Sequence, residues 1–109
     1  AQAYAAKANL LDLVDNLNEA LLYCNKALAN VLSRDKILLA SLLELKISIM
    51  IRLKRFDEAR FCLEKGVKLL SEADSRYLIS CYQGLIEKSS REKLKKIEMV
   101  QKIALKVVS

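Results

Sequence analysis

Proline and histidine are absent from this sequence, and glycine occurs only at Gly66 and Gly84. Sheet-rich folds draw on proline and glycine for their turns, so this scarcity points to helices joined by very short connections. The lack of histidine removes the commonest general base and metal ligand. No Gly-rich phosphate loop and no pair of cysteines at zinc spacing is present. The longest apolar run falls far short of the roughly 20 residues that a membrane-spanning helix needs, and no cleavable signal pattern is visible. Aromatic residues are few at 6%, while apolar residues, mostly Leu, Ile and Ala, reach 53% of the 109 positions. That is the composition of a helical domain, and the length suits one.

Cys24, Cys62 and Cys81 are odd in number, widely spaced and set among apolar neighbours. A disulfide framework or a metal site calls for pairs at short spacing, so they read as buried structural thiols in a reducing cytosol or nucleus. The acidic pairs Asp12/Asp15 and Asp57/Glu58 fall on helix starts and exposed faces, where solvation explains them. Neither an enzyme, a metal nor a cofactor is expected.

Hydrophobic periodicity divides the chain into six expected helices, over about 2–14, 17–32, 35–53, 56–71, 75–88 and 90–108. Asn16 with Glu19, and Ser89 with Glu92, have the spacing of capping boxes, and Asp57 and Glu58 suit the positive end of the fourth helix. Connections of two to four residues would force consecutive helices to lie antiparallel, as about three hairpins. A helical pattern that begins at Ala1 and ends on Val107 and Val108 suggests an array cut from a longer one, whose exposed ends could self-associate.

The second and fourth helices repeat each other. Asn18-Glu19-Ala20 recurs as Asp57-Glu58-Ala59 and Lys26-Ala27-Leu28 as Lys65-Gly66-Val67, both at an offset of 39 residues. Ala20 and Ala27, like Ala59 and Gly66, lie seven apart on one face, where small side chains let paired helices approach closely. With Ala8 in the first helix, this scheme resembles the tetratricopeptide repeat family. Ile47 takes the small position of the second repeat's first helix. The third repeat places Gly84 and Ala104 at small sites, with Ile97 at the other. The family's Trp, its helix-terminal Pro and most of its aromatics are missing, and the period exceeds the common 34. The resemblance implies an all-α, right-handed superhelical stack over repeats at about 1–34, 35–73 and 74–109, forming a single domain.

The resemblance also implies that the first helix of each hairpin lines a concave groove. Gln2, Ala5, Asn9, Asp12 and Leu13 are the candidates from the first hairpin and Ser41, Glu44, Ser48 and Arg52 from the second, with Tyr82 and Ile86 from the third. Some family members grip the acidic tail of heat-shock chaperones with a clamp of Lys, Asn and Arg. Only Asn9 matches that clamp here. Ala5 stands where its Lys is wanted, and Glu44 would repel a carboxylate, so a chaperone tail is not the expected partner.

The net charge of +6 is uneven: −1 over residues 1–33, +3 over 34–72 and +4 over 73–109. Lys88, Arg91, Lys95, Lys102 and Lys106 form a candidate basic surface, with Lys93 and Lys96 spread around the same helix. A nucleic-acid site would pair such charges with exposed aromatics or flexible basic arms, and neither accompanies them. The leading expectation is an interaction scaffold for a peptide or partner helix. Two others stand beside it: the peptide-sensing domain of a bacterial transcription regulator, since such sensors also have periods near 40, and direct nucleic-acid binding by the last helix.

Overall fold

The computed structural model describes residues 2–32 and 34–108. Ala1 lies outside them, as do the side chains of Val107 and Val108. The described residues form five helices and no strand: α1 (Gln2–Leu13), α2 (Leu17–Asn30), α3 (Lys36–Arg52), α4 (Phe56–Leu69) and α5 (Glu72–Val108). The all-α expectation holds, and four of the expected helices appear within three residues of their expected bounds. The fifth and sixth do not exist as separate helices. They are one helix of 37 residues.

The fusion has a local cause. Ser89 lies inside α5 and caps nothing. No residue between Gly84 and Lys96 forces a break: there is no proline, and Gly84 does not take a positive φ. Glu87 and Arg91 straddle the expected boundary as an i,i+4 ion pair at 3.6 Å. With nothing to stop it, the ladder of i→i−4 hydrogen bonds runs on. The third repeat is therefore not a hairpin.

The first two hairpins are copies down to their turns. The turn after α1 holds Asp15 at φ 59 and the turn after α3 holds Lys54 at φ 65, which are again 39 residues apart. Asn16 N–H donates to the Leu11 carbonyl (2.9 Å) and Asp15 N–H to that of Asp12 (3.1 Å). Arg55 N–H to Met50 (2.8 Å) and Lys54 N–H to Ile51 (3.0 Å) repeat the pattern. Both are Schellman closures, in which a left-handed residue satisfies the last carbonyls of the helix. The Asn16 side chain makes no capping bond, contrary to the expected capping box. Its carbonyl instead accepts from Ala20 N–H (2.9 Å), as that of Arg55 does from Ala59 (3.1 Å). Side-chain caps do begin α3 and α5: Asp35 Oδ1 accepts from Leu38 N–H (3.2 Å) and Ser71 Oγ from Asp74 N–H (3.2 Å).

α3 is the centre of the molecule. It packs against each of the other four helices and is apolar nearly all round, burying Leu39, Leu42, Leu43, Ile47, Ile49, Met50 and Ile51. The small residues sit where helices meet. Ala8, Ala20, Ala27 and Ala59 are fully buried, and a Cβ on Gly66 would lie 2.9 Å from Leu78 Cδ2 and 3.2 Å from Leu43 Cδ1. The third repeat lacks this feature: Gly84 and Ala104 are exposed, and nothing lies within 4 Å of a Cβ built on Gly84. The molecule measures 63 × 28 × 18 Å. At 1.5 Å rise per residue α5 alone is about 55 Å long, which accounts for most of the long dimension.

Candidate functional site

One side of the fold is built by α1, α3 and α5. α3 carries a line of polar residues, Ser41, Glu44, Ser48 and Arg52, spaced three and four apart and so stacked along one face. The two ends of that line are tied to different neighbours. Arg52 forks to the carboxylates of Asp12 and Asp15 at the end of α1. Glu44 faces α5, accepting from Tyr77 Oη at 3.4 Å and lying 3.7 Å from Cys81 Sγ. Contact with Cys81 and with the Glu44 carboxylate pushes the Tyr77 phenol above its ordinary value. Burial, with a smaller contribution from Glu44, raises the Cys81 thiol.

Where α3 runs out, a cleft of about 250 Å³ opens against the middle of α5, with Ile51 and Leu85 as apolar walls and Arg52, Lys54, Lys88, Ser89 and Glu92 as polar ones. Three cations and one carboxylate line it, although Arg52 is already engaged by two aspartates. The cleft joins two groups of residues that the sequence keeps apart, the α3 polar line and the basic run of α5.

Of the expected groove residues, Asp12, Glu44, Ser48 and Arg52 lie on this side in partial or full exposure, and Ser41, Gln2, Asn9 and Leu13 are exposed. Ala5 is not a groove residue. It is buried with Ala8, Cys24, Ala27 and Leu42 in the small core between α1, α2 and α3. Tyr82 and Ile86 are one position out of register. Both pack against the main core, and Ile86 lines a separate hollow with Phe56 of α4. The α5 residues that face α3 are Tyr77, Cys81, Leu85 and Lys88. Lys54 and Asp15 were also missed, because as turn residues they carry no helical periodicity.

The basic residues Lys88, Arg91, Lys95, Lys102 and Lys106 are all exposed. Among the described residues only Arg91 of these is ion-paired, to Glu87. A second cationic patch, also missed, lies on the first hairpin. Lys7 Nζ donates to Tyr23 Oη (3.0 Å) and sits 4.2 Å from the centre of that ring, with Lys26 4.9 Å from it and the Tyr4 ring at 6.1 Å. This hydrogen bond raises the Lys7 ammonium and lowers the Tyr23 phenol relative to their ordinary values. Residues 7 and 23 are 16 apart on different helices, so only the hairpin brings them together.

Among the described residues no cluster of potential metal ligands occurs, and no helix is long and apolar enough to cross a membrane. Cys24 and Cys62 are buried and Cys81 is half-buried, all as free thiols. No protein-family model, curated protein or solved structure matches the chain.

Proposed function

We propose that the chain is a protein-interaction scaffold of the tetratricopeptide-like kind, whose hairpins stack with a right-handed superhelical sense and whose α1–α3–α5 side takes a peptide or partner helix. The observation that carries this reading is the partly exposed polar line of α3, set between α1 and α5 and leading into a cleft with both apolar and charged walls. Side chains already held by hydrogen bonds and ion pairs lose little freedom when a ligand arrives, so the face is partly preorganised. The 39-residue duplication of the first two hairpins, turns included, supports the family resemblance. Catalysis, a bound metal and a chaperone-tail clamp form no part of the proposal. The compartment it implies is a reducing one, the cytosol or nucleus.

The test is direct. A peptide partner isolated with the chain is expected to lose roughly tenfold or more in affinity when Asn9 and Glu44 are both replaced by Ala, equivalent to about 1.4 kcal/mol over the two contacts. Unchanged affinity would overturn the groove reading.

A second reading has one observation in its favour. Lys88, Lys95, Lys102 and Lys106 lie on one arc of α5, exposed and without an ion pair among the described residues. Such an arc suits a polyanion. Nucleic-acid binding by it is expected to fall steeply with salt and to be abolished by charge reversal at Lys95 and Lys102. Binding that survives both sinks this reading.

A further inference from the structure

Of the 13 acidic residues only Asp12, Asp35 and Glu44 are partly buried, and the others are exposed. A carboxylate withdrawn from water calls for a cation or for N–H donors in exchange. Asp12 has the Arg52 guanidinium, and Asp35 receives the Leu38 N–H at 3.2 Å at the positive end of α3. Glu44 has neither. Its Oε1 receives the Tyr77 hydroxyl at 3.4 Å and the Cys81 thiol at 3.7 Å, both long contacts from neutral donors. Its Oε2 has no partner among the described residues. Since no buried side-chain oxygen among them lacks a partner, Oε2 is open to water.

No cation of the chain closes this gap. Lys46 is turned about 200° away around α3, on the Cys24 side. Arg52, two turns along α3 and about 12 Å away, already holds Asp12 and Asp15. On α5, Arg76 is held by Glu72, and Lys88 lies about 16 Å beyond Tyr77. Asp74, exposed and one turn before Tyr77 on the same side of α5, adds negative charge. On α1, Lys7 is bonded to Tyr23 of α2, and Gln2 and Asn9 carry no charge. The Tyr77 ring beside Glu44 is 59% exposed. Tyr4, Tyr23 and Phe61 each have a lysine of the chain over their rings, and among the described residues Tyr77 has none.

We infer, resting on the groove reading above, that Glu44 and Tyr77 form a specificity pocket for a basic side chain of the bound peptide or helix, with arginine the best fit. A planar guanidinium lies on the ring face while its edge donates to Oε2. A lysine ammonium, a compact point charge, makes the ion pair without the stacking. An acidic side chain would be repelled, and a neutral one would cover the carboxylate and leave it unpaired. A metal ion calls for more ligands than one carboxylate, and among the described residues no group of three His, Cys, Asp or Glu gathers.

The probe is Nα-acetyl-arginine amide, with the isosteric but uncharged citrulline amide as control, each titrated into the isotope-labelled full chain and followed by NMR. The arginine amide is expected to bind in the millimolar range and to shift the Tyr77 ring and Glu44 side-chain signals most, and the citrulline amide to shift neither. Glu44→Gln, which keeps the shape and removes the charge, is expected to weaken arginine binding roughly tenfold. Tyr77→Leu is expected to weaken it about threefold. Absence of any shift at about 50 mM arginine amide overturns the inference. An equal response to citrulline amide overturns it too, as does binding that Glu44→Gln leaves unchanged. A peptide partner separates the pocket from the groove. If its affinity falls in the Asn9→Ala/Glu44→Ala variant yet holds when its arginines are replaced by citrulline, the groove stands and the pocket is overturned. If the arginine amide binds at Glu44 while the peptide ignores the double variant, the arginine site stands and the groove reading falls.

Discussion

Gly66 and Gly84 are both helical glycines, yet their surroundings give substitution opposite signs. Alanine in place of glycine in a helix interior gains up to about 1 kcal/mol from backbone entropy alone. At Gly84 nothing opposes that gain, and Gly84→Ala is expected to stabilise the fold by about that amount. At Gly66 the new methyl would meet Leu78, which is only 2% exposed and has little room to yield, and Leu43 behind it. Overpacking of this kind costs about 1–3 kcal/mol, so Gly66→Ala is expected to be net destabilising. Urea unfolding of the two variants checks the contrast.

Cys24 gives a pH signature at the same scale. Burial holds its thiol up to about 11, against 9.0 for the free group, while its Sγ lies 3.4 Å from the Leu42 carbonyl. A raised thiol favours the neutral form in the folded state, so its contribution is complete below pH 9 and is lost as pH rises toward about 11. The loss over that window is about 2–3 kcal/mol. Cys24→Ala is expected to flatten that part of a stability–pH profile. A wild-type profile no steeper than the variant's would show that the thiol is solvated.

At the scale of elements, the repeat makes a strong demand of its turns. Asp15 and Lys54 adopt left-handed backbone, which costs a residue with a Cβ about 1 kcal/mol or more. Glycine removes that cost. Lys54→Gly is expected to stabilise by about 1 kcal/mol, and to raise the melting temperature by roughly 4–8 °C for a domain near this size. Asp15→Gly is expected to gain less, because Asp15 also receives Arg52. The elements differ in how far the sequence discloses them. α1 to α4 are legible from their hydrophobic periodicity, and α2 and α4 also from small residues that recur at an offset of 39. Their turn geometry is not, since neither left-handed residue is a glycine. The continuity of α5 was hidden by Ser89 and Glu92, which have the spacing of a helix start while the intact hydrogen-bond ladder outweighs it. The register of α5 was open for a different reason: its segment is not a true copy of the first two repeats, so alignment on them points to Tyr82 and Ile86 where Cys81 and Leu85 face α3. The Glu44 contacts and the Asp12–Arg52 ion pair depend on helix packing at separations of 33 to 40 residues, which no local pattern encodes.

Across the whole molecule, burial is concentrated about α3 and fades along α5. Leu42, Ile47 and Ile49 of α3 are at most 2% exposed and take part in the cores on both sides of the helix. Beyond Ser89, every residue of α5 from Ser90 to Lys106 is exposed. Local opening free energies follow local burial, from near zero at a projecting helix to the global value in the core. Amide hydrogen exchange on a dilute sample, at low micromolar concentration, is therefore expected to be slowest at residues 42–51 and fastest at 94–106. Protection at 94–106 equal to that of α3 would show that the distal half opens only with the core, and the gradient of burial along α5 would then not set its stability.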